Sequence, residues 1–395
     1  MEKVRYGIIG LGNQGSSYVF NIFEKGLAVD AELVALCDNN PAKIENIKKN
    51  SKDENANYTY FDNYIDMLDS GLCDAVLVEV PHYDHPQMVI DCLRRGIHAI
   101  CEKPAGVYTK QVKEMNEVAK QSNARFAMMF NQRTNCVYRK MREMIAEGAI
   151  GDLQRVTWII TDWFRTQQYY DGGAWRATWA GEGGGVLLNQ CPHQIDLVQW
   201  VVGKLPCKVN AFCQYGKWHD IEVEDEATAF FTYDNGATGM FITTTGEAPG
   251  TNRFEVSGTL GKLLCEGGKL TYYKNAEDSR THLLTAKGGF SRPACEKIEV
   301  ETDGLNTQHN GIINNFTAAI LGKEEQFVDG KEGINGVELM NAIILSGWKG
   351  GEAVSIPVDE DEYLEELNKR RATSRLKVVE YDTVENTAGT YGGKA

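Results

Sequence analysis

Residues 4–15 read VRYGIIGLGNQG, and this stretch decides the fold of the N-terminal part of the chain. An apolar run that stops at Gly10 is typical of a buried parallel strand. Gly10, Gly12 and Gly15 give the pattern G-x-G-x-x-G, and residues 16–25 after it are compatible with a helix. Gly10 permits a tight turn, Gly12 lets backbone amides approach a pyrophosphate, and Gly15 lets the helix pack closely on the strand. The stretch therefore predicts a dinucleotide-binding unit.

The acidic residue at the end of the second apolar run indicates which dinucleotide is bound. A second apolar run, 31–37, ends at Asp38, about twenty residues after the glycine pattern. A carboxylate here accepts hydrogen bonds from an adenosine ribose and repels a 2′-phosphate, and no arginine stands beside Asn39. We therefore expect NAD rather than NADP, with Asn13, Gln14 and Asn39 also close to the cofactor.

Predicted strands and helices alternate up to residue 130, with further strands at 75–80, 98–101 and 125–130. This alternation is typical of an α/β fold with a doubly wound parallel sheet, a Rossmann domain, which we place at 1–130. Such sheets bind ligands at the carboxyl ends of their strands. The candidate contacts at those ends are Pro81, His82, His85, Glu102, Lys103, Asn131 and Arg133.

The pattern changes after residue 151 to strands that are separated by glycine-rich turns. They are predicted at 153–161, 211–215, 227–233, 238–245, 253–257 and 262–266. Helices are predicted at 190–202, 310–321 and 333–350, and 276–296 is interpreted as a loop or insertion. Residues 131–358 are thus predicted to form an α+β domain with a mostly antiparallel sheet. For 359–395 we expect an acidic, solvated helical segment over 359–370 and a flexible tail over 387–395.

The composition excludes several classes of function. The chain has 41 basic and 55 acidic residues, a net charge of −14, which argues against nucleic acid as a partner and favours a neutral substrate. No apolar run approaches the ~20 residues of a membrane span, and no secretion signal is recognisable, so a cytoplasmic protein without a membrane partner is expected. The ten cysteines include no C-x-x-C pair, which favours reduced thiols, and no metal site is expected.

Three segments resemble the Gfo/Idh/MocA oxidoreductases, in the family's order: GIIGLGNQG (7–15), CEKPAG (101–106) and GGGVLLNQCPHQIDLVQW (183–200). The resemblance covers roughly residues 1–360. It implies an NAD(P)-dependent enzyme with a Rossmann domain and an open-faced antiparallel sheet, assembled as a homo-oligomer, a dimer or tetramer. It also implies a sugar, glycoside or cyclitol as the substrate.

The oxidation of a secondary alcohol needs a hydride path, a base and donors for the developing alkoxide. Lys103 could hydrogen-bond the reacting oxygen and, if burial lowers its pKa, pass protons. The resemblance implies a cis bond before Pro104 and maps His193 onto the family's catalytic histidine, and a neutral imidazole suits a general base. Asn189 stands where the family usually has aspartate. An amide orients a hydroxyl but takes no proton, which leaves His193 and Lys103 as the main acid–base candidates.

Residues 158–179 hold four of the seven tryptophans, as a carbohydrate pocket requires. We expect Trp158 to be core, and we expect substrate contacts from Lys103, Asn189 and His193. Further substrate contacts are expected from Arg133, Trp163, Tyr169, Arg176 and His309. The pair Trp175–Arg176 resembles one that the family places near the nicotinamide.

The leading hypothesis is an NAD-dependent dehydrogenase that oxidises a secondary ring hydroxyl of a neutral sugar, glycoside or cyclitol, with ring carbon 3 as the candidate position. Two alternatives remain open. One is a glycosidase or lyase that retains NAD and works by transient oxidation and elimination. The other is a catalytically silent regulator that binds the dinucleotide or a sugar.

Overall fold

The structure is a computed structural model that describes residues 3–53 and 57–375. The chain divides into two units. The first contains the described residues up to Asn131 together with Thr307–Val337. The second contains Gln132–Asn306 and the described residues from Glu338 onward.

Strands and helices alternate through the first part of the chain. In order they are β1 (Val4–Ile9), α1 (Asn13–Tyr18), β2 (Ala31–Cys37), α2 (Pro41–Asn50), β3 (Thr59–Phe61), α3 (Tyr64–Asp69), β4 (Ala75–Val78), α4 (His85–Arg94), β5 (His98–Cys101), α5 (Thr109–Gln121) and β6 (Phe126–Met128). Helix α1 continues as a π-helical turn over Val19–Phe23. The strands form one parallel sheet in the order β3-β2-β1-β4-β5-β6, so the predicted Rossmann sheet is confirmed.

The sequence pattern did not predict α2. Its signal is local: the side chain of Asn40 accepts a hydrogen bond from the backbone N–H of Ala42 at 3.0 Å, and Pro41 occupies the first helical position. Both features are typical of a helix start. The helix buries only Ile44 and Ile47, so the apolar periodicity that predicts helices is weak there.

Strands dominate the rest of the chain. In order the elements are α6 (Cys136–Ala146), β7 (Leu153–Ile160), α7 (Gln167–Asp171), α8 (Pro192–Val202), β8 (Lys208–Tyr215), β9 (Glu224–Thr232), β10 (Thr238–Thr244), β11 (Asn252–Gly258), β12 (Gly261–Glu266), β13 (Lys269–Asn275), α9 (Ser279–Thr285), β14 (Cys295–Val300), α10 (Gln308–Ile320), α11 (Gly333–Trp348), β15 (Val354–Ser355) and α12 (Glu360–Ala372). The nine-stranded sheet has the order β14-β13-β12-β11-β7-β10-β9-β8-β15. Its neighbours are antiparallel except for β7 and β10, which run parallel, so the mostly antiparallel sheet is confirmed.

The nine-stranded sheet has one covered and one open face within the described residues. Side chains alternate along β8 and β9 between buried and accessible positions. On the covered face, Ser346 of α11 accepts a hydrogen bond from the backbone N–H of Ala211 at 2.8 Å. On the other face Phe212, Phe230 and Met240 are exposed. The sheet is therefore open-faced, as the resemblance implied.

The segment Thr307–Val337, predicted as part of the second domain, belongs to the first unit. The hydroxyls of Thr317 and Tyr6 are 2.8 Å apart, and the amide of Gln326 donates to the carbonyl oxygen of Phe126 at 2.6 Å. These contacts join α10 and the turn after it to the parallel sheet. They link positions far apart in sequence, which is why no local pattern could have predicted this division.

The C-terminal acidic segment does form a helix, α12, but one face of it is buried. Tyr363 stacks on Trp348 with ring centroids 5.2 Å apart, and Leu367 is fully buried. The helix thus packs in the second unit, and only its remaining faces are solvated as predicted. The predicted flexible tail, 387–395, lies outside the described residues.

The insertion at 276–296 contains α9 and the first residues of β14 rather than loop alone. All ten cysteines lie within the described residues; none is in a disulfide, and most are buried. Among the described residues, no helix is long and apolar enough to span a membrane.

Candidate active site

The glycine turn after β1 brings three backbones close together. Gly10 has a φ of +93°, which favours glycine. A Cβ there would lie 2.2 Å from the carbonyl oxygen of Glu79, and one on Gly15 would lie 1.9 Å from the carbonyl oxygen of Gly10. A Cβ on Gly12 would meet no described atom within 4 Å. Two of the glycines are therefore needed for packing, whereas Gly12 leaves its backbone open to a ligand.

Asp38 lies directly beside this turn. Its carboxylate accepts a hydrogen bond from the backbone N–H of Leu11 at 2.7 Å and another from that of Asn40 at 2.8 Å. These bonds fix the carboxylate at the end of β2, beside the exposed Asn39. Asn13 is exposed in the first turn of α1, and its neighbour Gln14 is half-buried.

The segment after β5 carries Lys103 on a tightly held backbone. Glu102 accepts a 2.5 Å hydrogen bond from the phenol of Tyr18 and a 3.0 Å bond from the backbone N–H of Lys103. The peptide between Lys103 and Pro104 is cis, as the resemblance implied. Nδ1 of the buried His85 donates to the carbonyl oxygen of Pro104 at 2.7 Å. His85 thus holds residues 102–104, the segment that carries Lys103 and that we call the lysine loop. Burial lowers the pKa of the His85 imidazole.

The other predicted residues of the first unit lie around the same ends of the strands. Asn131 is buried, and its amide donates to Oε1 of Gln308 at 2.6 Å. The ring of His309 lies 5.6 Å from that of Tyr18, edge to face. Burial lowers the pKa of His309; the charge of Glu102 opposes this shift and that of Lys103 adds to it. The first unit therefore brings His309 close to the lysine loop, although the two are about 200 residues apart.

Pro81 and His82 occupy the turn that follows β4, which the backbone N–H of Asp84 closes by donating to the carbonyl oxygen of Pro81 at 2.9 Å. His82 is buried, with its ring centroid 6.0 Å from that of His85. His82 therefore lies in this turn, and His85, the first residue of α4, directly follows it.

A polar cluster surrounds the phenol of Tyr169 in the second unit. The hydroxyl donates to Oδ1 of Asn189 at 3.3 Å and accepts from the amide of Gln190 at 3.1 Å and from the guanidinium of Arg176. The same guanidinium stacks 4.2 Å from the Tyr169 ring and 5.0 Å from that of Trp175. We call Tyr169, Trp175, Arg176, Glu182, Asn189 and Gln190 the Tyr169 cluster.

Glu182 links the two chain segments of this cluster. One carboxylate oxygen accepts from the amide of Asn189, and the other accepts from the backbone N–H of Ala177 at 2.5 Å. Ala177 has a φ of +57°, a strained conformation for a residue with a side chain, directly after Arg176. The buried carboxylate therefore stabilises the turn that presents Arg176 and holds the amide of Asn189.

Glu224 supports the glycine segment that leads into Asn189. Its Oε1 accepts from the backbone N–H of Gly185 at 2.8 Å and of Leu187 at 3.2 Å, whereas Oε2 has no hydrogen bond among the described residues. A Cβ on Gly185 would lie 2.0 Å from the Glu224 carbonyl oxygen, so the segment packs directly on β9. Burial raises the pKa of Glu224 to about 7, partly offset by its backbone hydrogen bonds.

His193 lies in the first turn of α8, after Pro192 at the first helical position. All residues of the helix except the last, Val202, are buried, and His193 is only 5% exposed. The structure therefore fixes the orientation of this imidazole through the packing of its helix.

Arg133, which was predicted as a substrate contact, lies in a buried ion pair. Its guanidinium and the carboxylate of Asp196 form a two-pronged ion pair at 2.6 and 2.7 Å, and each residue is only 1% exposed. The guanidinium also lies 5.2 Å from the Trp200 ring. A charge so deeply buried has to be paired, so Arg133 is a structural residue of the second unit.

The aromatic residues predicted for the carbohydrate pocket include both core and accessible positions. Trp158 is fully buried and stacks on Phe254 at 4.2 Å, which confirms it as core. Trp163 is half-buried, with the guanidinium of Arg165 5.5 Å from its ring. Trp163 therefore keeps an accessible face beside an arginine.

Two family models match this sequence. One, described as an oxidoreductase family with an NAD-binding Rossmann fold, matches residues 4–130, and the other, the GFO/IDH/MocA C-terminal domain, matches residues 138–264. The chain belongs to the Gfo/Idh/MocA oxidoreductases. Its first unit is accordingly the family's NAD-binding Rossmann domain.

Individual members of the Gfo/Idh/MocA family are similar to this chain at moderate identity. The inositol 2-dehydrogenase of Rhizobium meliloti is 24% identical over 87% of this chain and 96% of its own length. The rhizopine catabolism protein MocA of the same species is 26% identical over 52% of this chain, and the match spans 59% of that protein. The solved structure of the WlbA dehydrogenase from Bordetella pertussis, in complex with NADH and UDP-GlcNAcA, has a TM-score of 0.75 and 25% identity. The match covers 90% of this chain and the full length of that WlbA chain.

The residues of the Rossmann unit fit NAD. The open backbone at Gly12 lies in the glycine turn, and the fixed carboxylate of Asp38 lies beside that turn at the end of β2, as a pyrophosphate and an adenosine ribose require. When bound, NAD would be held by this turn and would supply the hydride acceptor. Gly10 and Gly15 shape the turn and contribute no side chain.

Sequence reasoning missed four acidic or phenolic side chains. Tyr18, Glu79, Glu182 and Glu224 are placed by tertiary contacts, so their partners could not be predicted. Glu79 and Glu182 nevertheless carried a signal. Glu79 interrupts an apolar run at the end of β4, and Glu182 directly precedes the glycine triplet that leads to Asn189.

Proposed function

We propose that this protein is an NAD-dependent dehydrogenase that oxidises a secondary ring hydroxyl of a neutral sugar, glycoside or cyclitol, with ring carbon 3 as the candidate position. The observation that carries the proposal is the Tyr169 cluster. It combines a phenol, a guanidinium and two amides with the half-buried Trp175. The guanidinium of Arg165 lies 5.3 Å from the Tyr169 ring and 5.5 Å from the ring of the half-buried Trp163. Polar groups that read hydroxyls beside aromatic faces that pack on C–H groups are what a sugar requires.

The proposed roles divide the proton chemistry between two side chains. NAD, when bound, supplies the acceptor for the hydride that leaves the carbinol carbon. His193 takes the hydroxyl proton on its neutral imidazole, and Lys103 donates a hydrogen bond to the oxygen as its negative charge develops. Asn189 orients the hydroxyl, because Glu182 fixes its amide nitrogen and leaves its oxygen to accept hydrogen bonds.

Charge supports a neutral substrate over a polyanion. The chain carries a net charge of −14, and the Tyr169 cluster balances its arginine with a buried glutamate. The substrate contacts that we propose beside the catalytic groups are Trp163, Tyr169, Arg176 and His309.

We also propose that the protein is a cytoplasmic homo-oligomer. The exposed Phe212, Phe230 and Met240 on the open face of the nine-stranded sheet supply an apolar surface for a second copy. Light scattering on the purified protein tests this point: a dimer or tetramer supports it, and a monomer at micromolar concentration contradicts it.

The activity is tested by following NADH formation at 340 nm with a panel of glycosides, free sugars and inositols. We expect Lys103→Ala and His193→Ala each to lower kcat/KM by roughly 10²–10⁴-fold, the typical contribution of an acid–base group. Lys110→Ala, which changes an exposed lysine of the first unit, is the control and should retain activity. Full activity in the double variant Lys103→Ala/His193→Ala would overturn the assignment.

The same panel separates the two alternatives. Release of the aglycone without net NADH and without added NAD indicates the NAD-retaining glycosidase or lyase. Binding of NAD, measured by calorimetry, without turnover of any substrate indicates the regulator.

A further inference from the structure

His219 and Asp225 form a buried pair in the second unit, and the proposed reaction has no use for either side chain. Their side chains are only 6% and 0% exposed. Nδ1 of His219 donates to Oδ2 of Asp225 at 3.2 Å, and Nε2 donates to the backbone carbonyl oxygen of Arg165 at 3.0 Å. A carboxylate and a carbonyl group can only accept, so the ring satisfies both when each nitrogen carries a proton.

Asp225 is itself held firmly in β9. Its carboxylate accepts hydrogen bonds from three consecutive backbone N–H groups, those of Lys217 at 3.1 Å, Trp218 at 2.7 Å and His219 at 3.2 Å. Hydrogen bonds to an ionised acceptor are stronger than those between neutral groups. The sheet therefore fixes both the backbone and the ring of His219.

The segment that His219 contacts is tied to the sheet at a second point, Thr245, directly after β10. The backbone N–H of Arg165 donates to the carbonyl oxygen of Thr245 at 2.9 Å. The hydroxyl of Tyr170 donates to Oγ1 of Thr245 at 2.8 Å, and the Tyr170 ring lies 4.7 Å from that of His219. The peptide groups on both sides of Arg165 are thus held, one by Thr245 and the other by His219.

The side chain of Arg165 carries this fixed position to the proposed sugar contacts. Its guanidinium donates to the carbonyl oxygen of Phe164 at 2.9 Å and lies 5.5 Å from the Trp163 ring and 5.3 Å from the Tyr169 ring. Cation–π contacts at such distances are attractive. A displacement of the Arg165 backbone would therefore move the guanidinium and disturb both rings.

We propose that His219 is a positioning residue that holds Trp163, Arg165 and Tyr169 in the geometry that binds the sugar. It acts through the carbonyl group of Arg165 and contacts neither substrate nor cofactor. This inference rests on the proposed function and deepens it, because it traces the placement of the sugar contacts to a buried pair on the sheet. Loss of the contact should weaken sugar binding more than it slows the chemical step.

Three substitutions of His219 separate its two hydrogen bonds. His219→Gln places an amide N–H near the position of Nε2 and keeps a donor for Arg165. His219→Asn is shorter, so its amide reaches only the side of Asp225, and His219→Leu removes both hydrogen bonds. The matched control is His282→Leu, which changes a histidine of the same unit that also pairs with a carboxylate, that of Glu277 at 2.7 Å.

Hydrogen–deuterium exchange of the amides in 163–170, read by mass spectrometry in the full-length protein without NAD or substrate, measures the positioning directly. We expect exchange to be roughly tenfold faster in His219→Asn and His219→Leu, the effect of one lost hydrogen bond. His219→Gln and His282→Leu should exchange at nearly the wild-type rate. Wild-type exchange in folded His219→Leu overturns the inference, and if that variant does not fold, His219→Asn is judged by the same criterion.

Kinetics with the sugar that the panel identifies test the consequence for binding. The KM for the sugar should rise at least about tenfold in His219→Asn and His219→Leu, while kcat and the KM for NAD change less than about threefold. His219→Gln should restore the KM. A wild-type KM in His219→Leu overturns the inference even if exchange is faster.

The two measurements also separate this inference from the proposed function. Faster exchange in a protein that oxidises nothing in the panel supports the role of His219 in holding the segment and contradicts the dehydrogenase. Wild-type exchange in an active dehydrogenase overturns the role of His219 alone.

Discussion

Both units bury carboxylates, but the partners of these carboxylates differ. In the second unit, Asp196 pairs with an arginine, while Glu182 and Glu224 accept hydrogen bonds from backbone N–H groups. In the first unit, neither carboxyl oxygen of Glu79 has a hydrogen bond within the described residues, and burial raises the pKa of this carboxyl group well above its ordinary value. The second unit thus uses buried acids to fix the path of its chain, whereas the first holds an acid whose neutral form is favoured by burial. Removing an acid or its partner should therefore cost more stability in the second unit than in the first.

The largest effect is expected at the buried ion pair. Arg133→Ala leaves Asp196 charged and unpaired in the core, which should cost roughly 3–5 kcal/mol of unfolding free energy in denaturant titrations. The double variant Arg133→Met/Asp196→Leu removes both charges and should be far less destabilised. A cost below about 1 kcal/mol for Arg133→Ala would show that the pair does not stabilise the second unit in this way.

The next effect is expected at Glu182. Glu182→Ala removes the acceptor for Ala177 and Asn189, and two hydrogen bonds to a charged group contribute about 3 kcal/mol together. Because the turn after Arg176 is strained, we also expect kcat/KM to fall by at least tenfold. Glu222→Gln is the control for activity. It changes a carboxylate that accepts a hydrogen bond from the backbone N–H of Trp179 rather than from a residue of the Tyr169 cluster. Wild-type kcat/KM in Glu182→Ala would mean that the Tyr169 cluster does not contact the substrate.

Glu224 should make the stability of the second unit depend on pH. Because its folded-state pKa is raised to about 7, its stabilising contribution is complete below the ordinary pKa of a glutamate and is lost as the pH rises through about 7. The loss is up to about 3 kcal/mol, at 1.36 kcal/mol per pKa unit. As the pH rises from 5 to 8, the melting temperature should therefore fall more steeply for the wild type than for Glu224→Gln. Parallel curves for the two proteins would contradict this account.

The smallest effect is expected in the first unit. Tyr18→Phe removes one hydrogen bond to Glu102 and should cost about 1.5 kcal/mol in denaturant titrations. It leaves the backbone N–H of Lys103 as a donor to the Glu102 carboxyl group, so the segment after β5 should keep its conformation. A cost above about 3 kcal/mol would show that the phenol contributes more than one hydrogen bond to the stability of the first unit.

The sequence predicted those features whose cause is local. The glycine pattern at 10–15, the alternation of the first domain and the cis bond before Pro104 each depend on neighbouring residues or on a family motif, and the structure has all three. The position of Arg133 after a strand suggested a ligand contact, but it did not predict the buried ion pair in which the structure places this residue. Its partner Asp196, 63 residues away, decides its role.

The sequence alone determined that the chain folds into a Rossmann unit and a mostly antiparallel sheet, because the spacing of apolar residues and glycines sets local conformation. It also supplied the candidates Lys103, Asn189 and His193. Only the tertiary structure decided which polar and charged groups are buried together: Arg133 with Asp196, and Glu182 with Asn189. The energy of a buried charge depends on what surrounds it in space, and residues far apart in the sequence provide those surroundings.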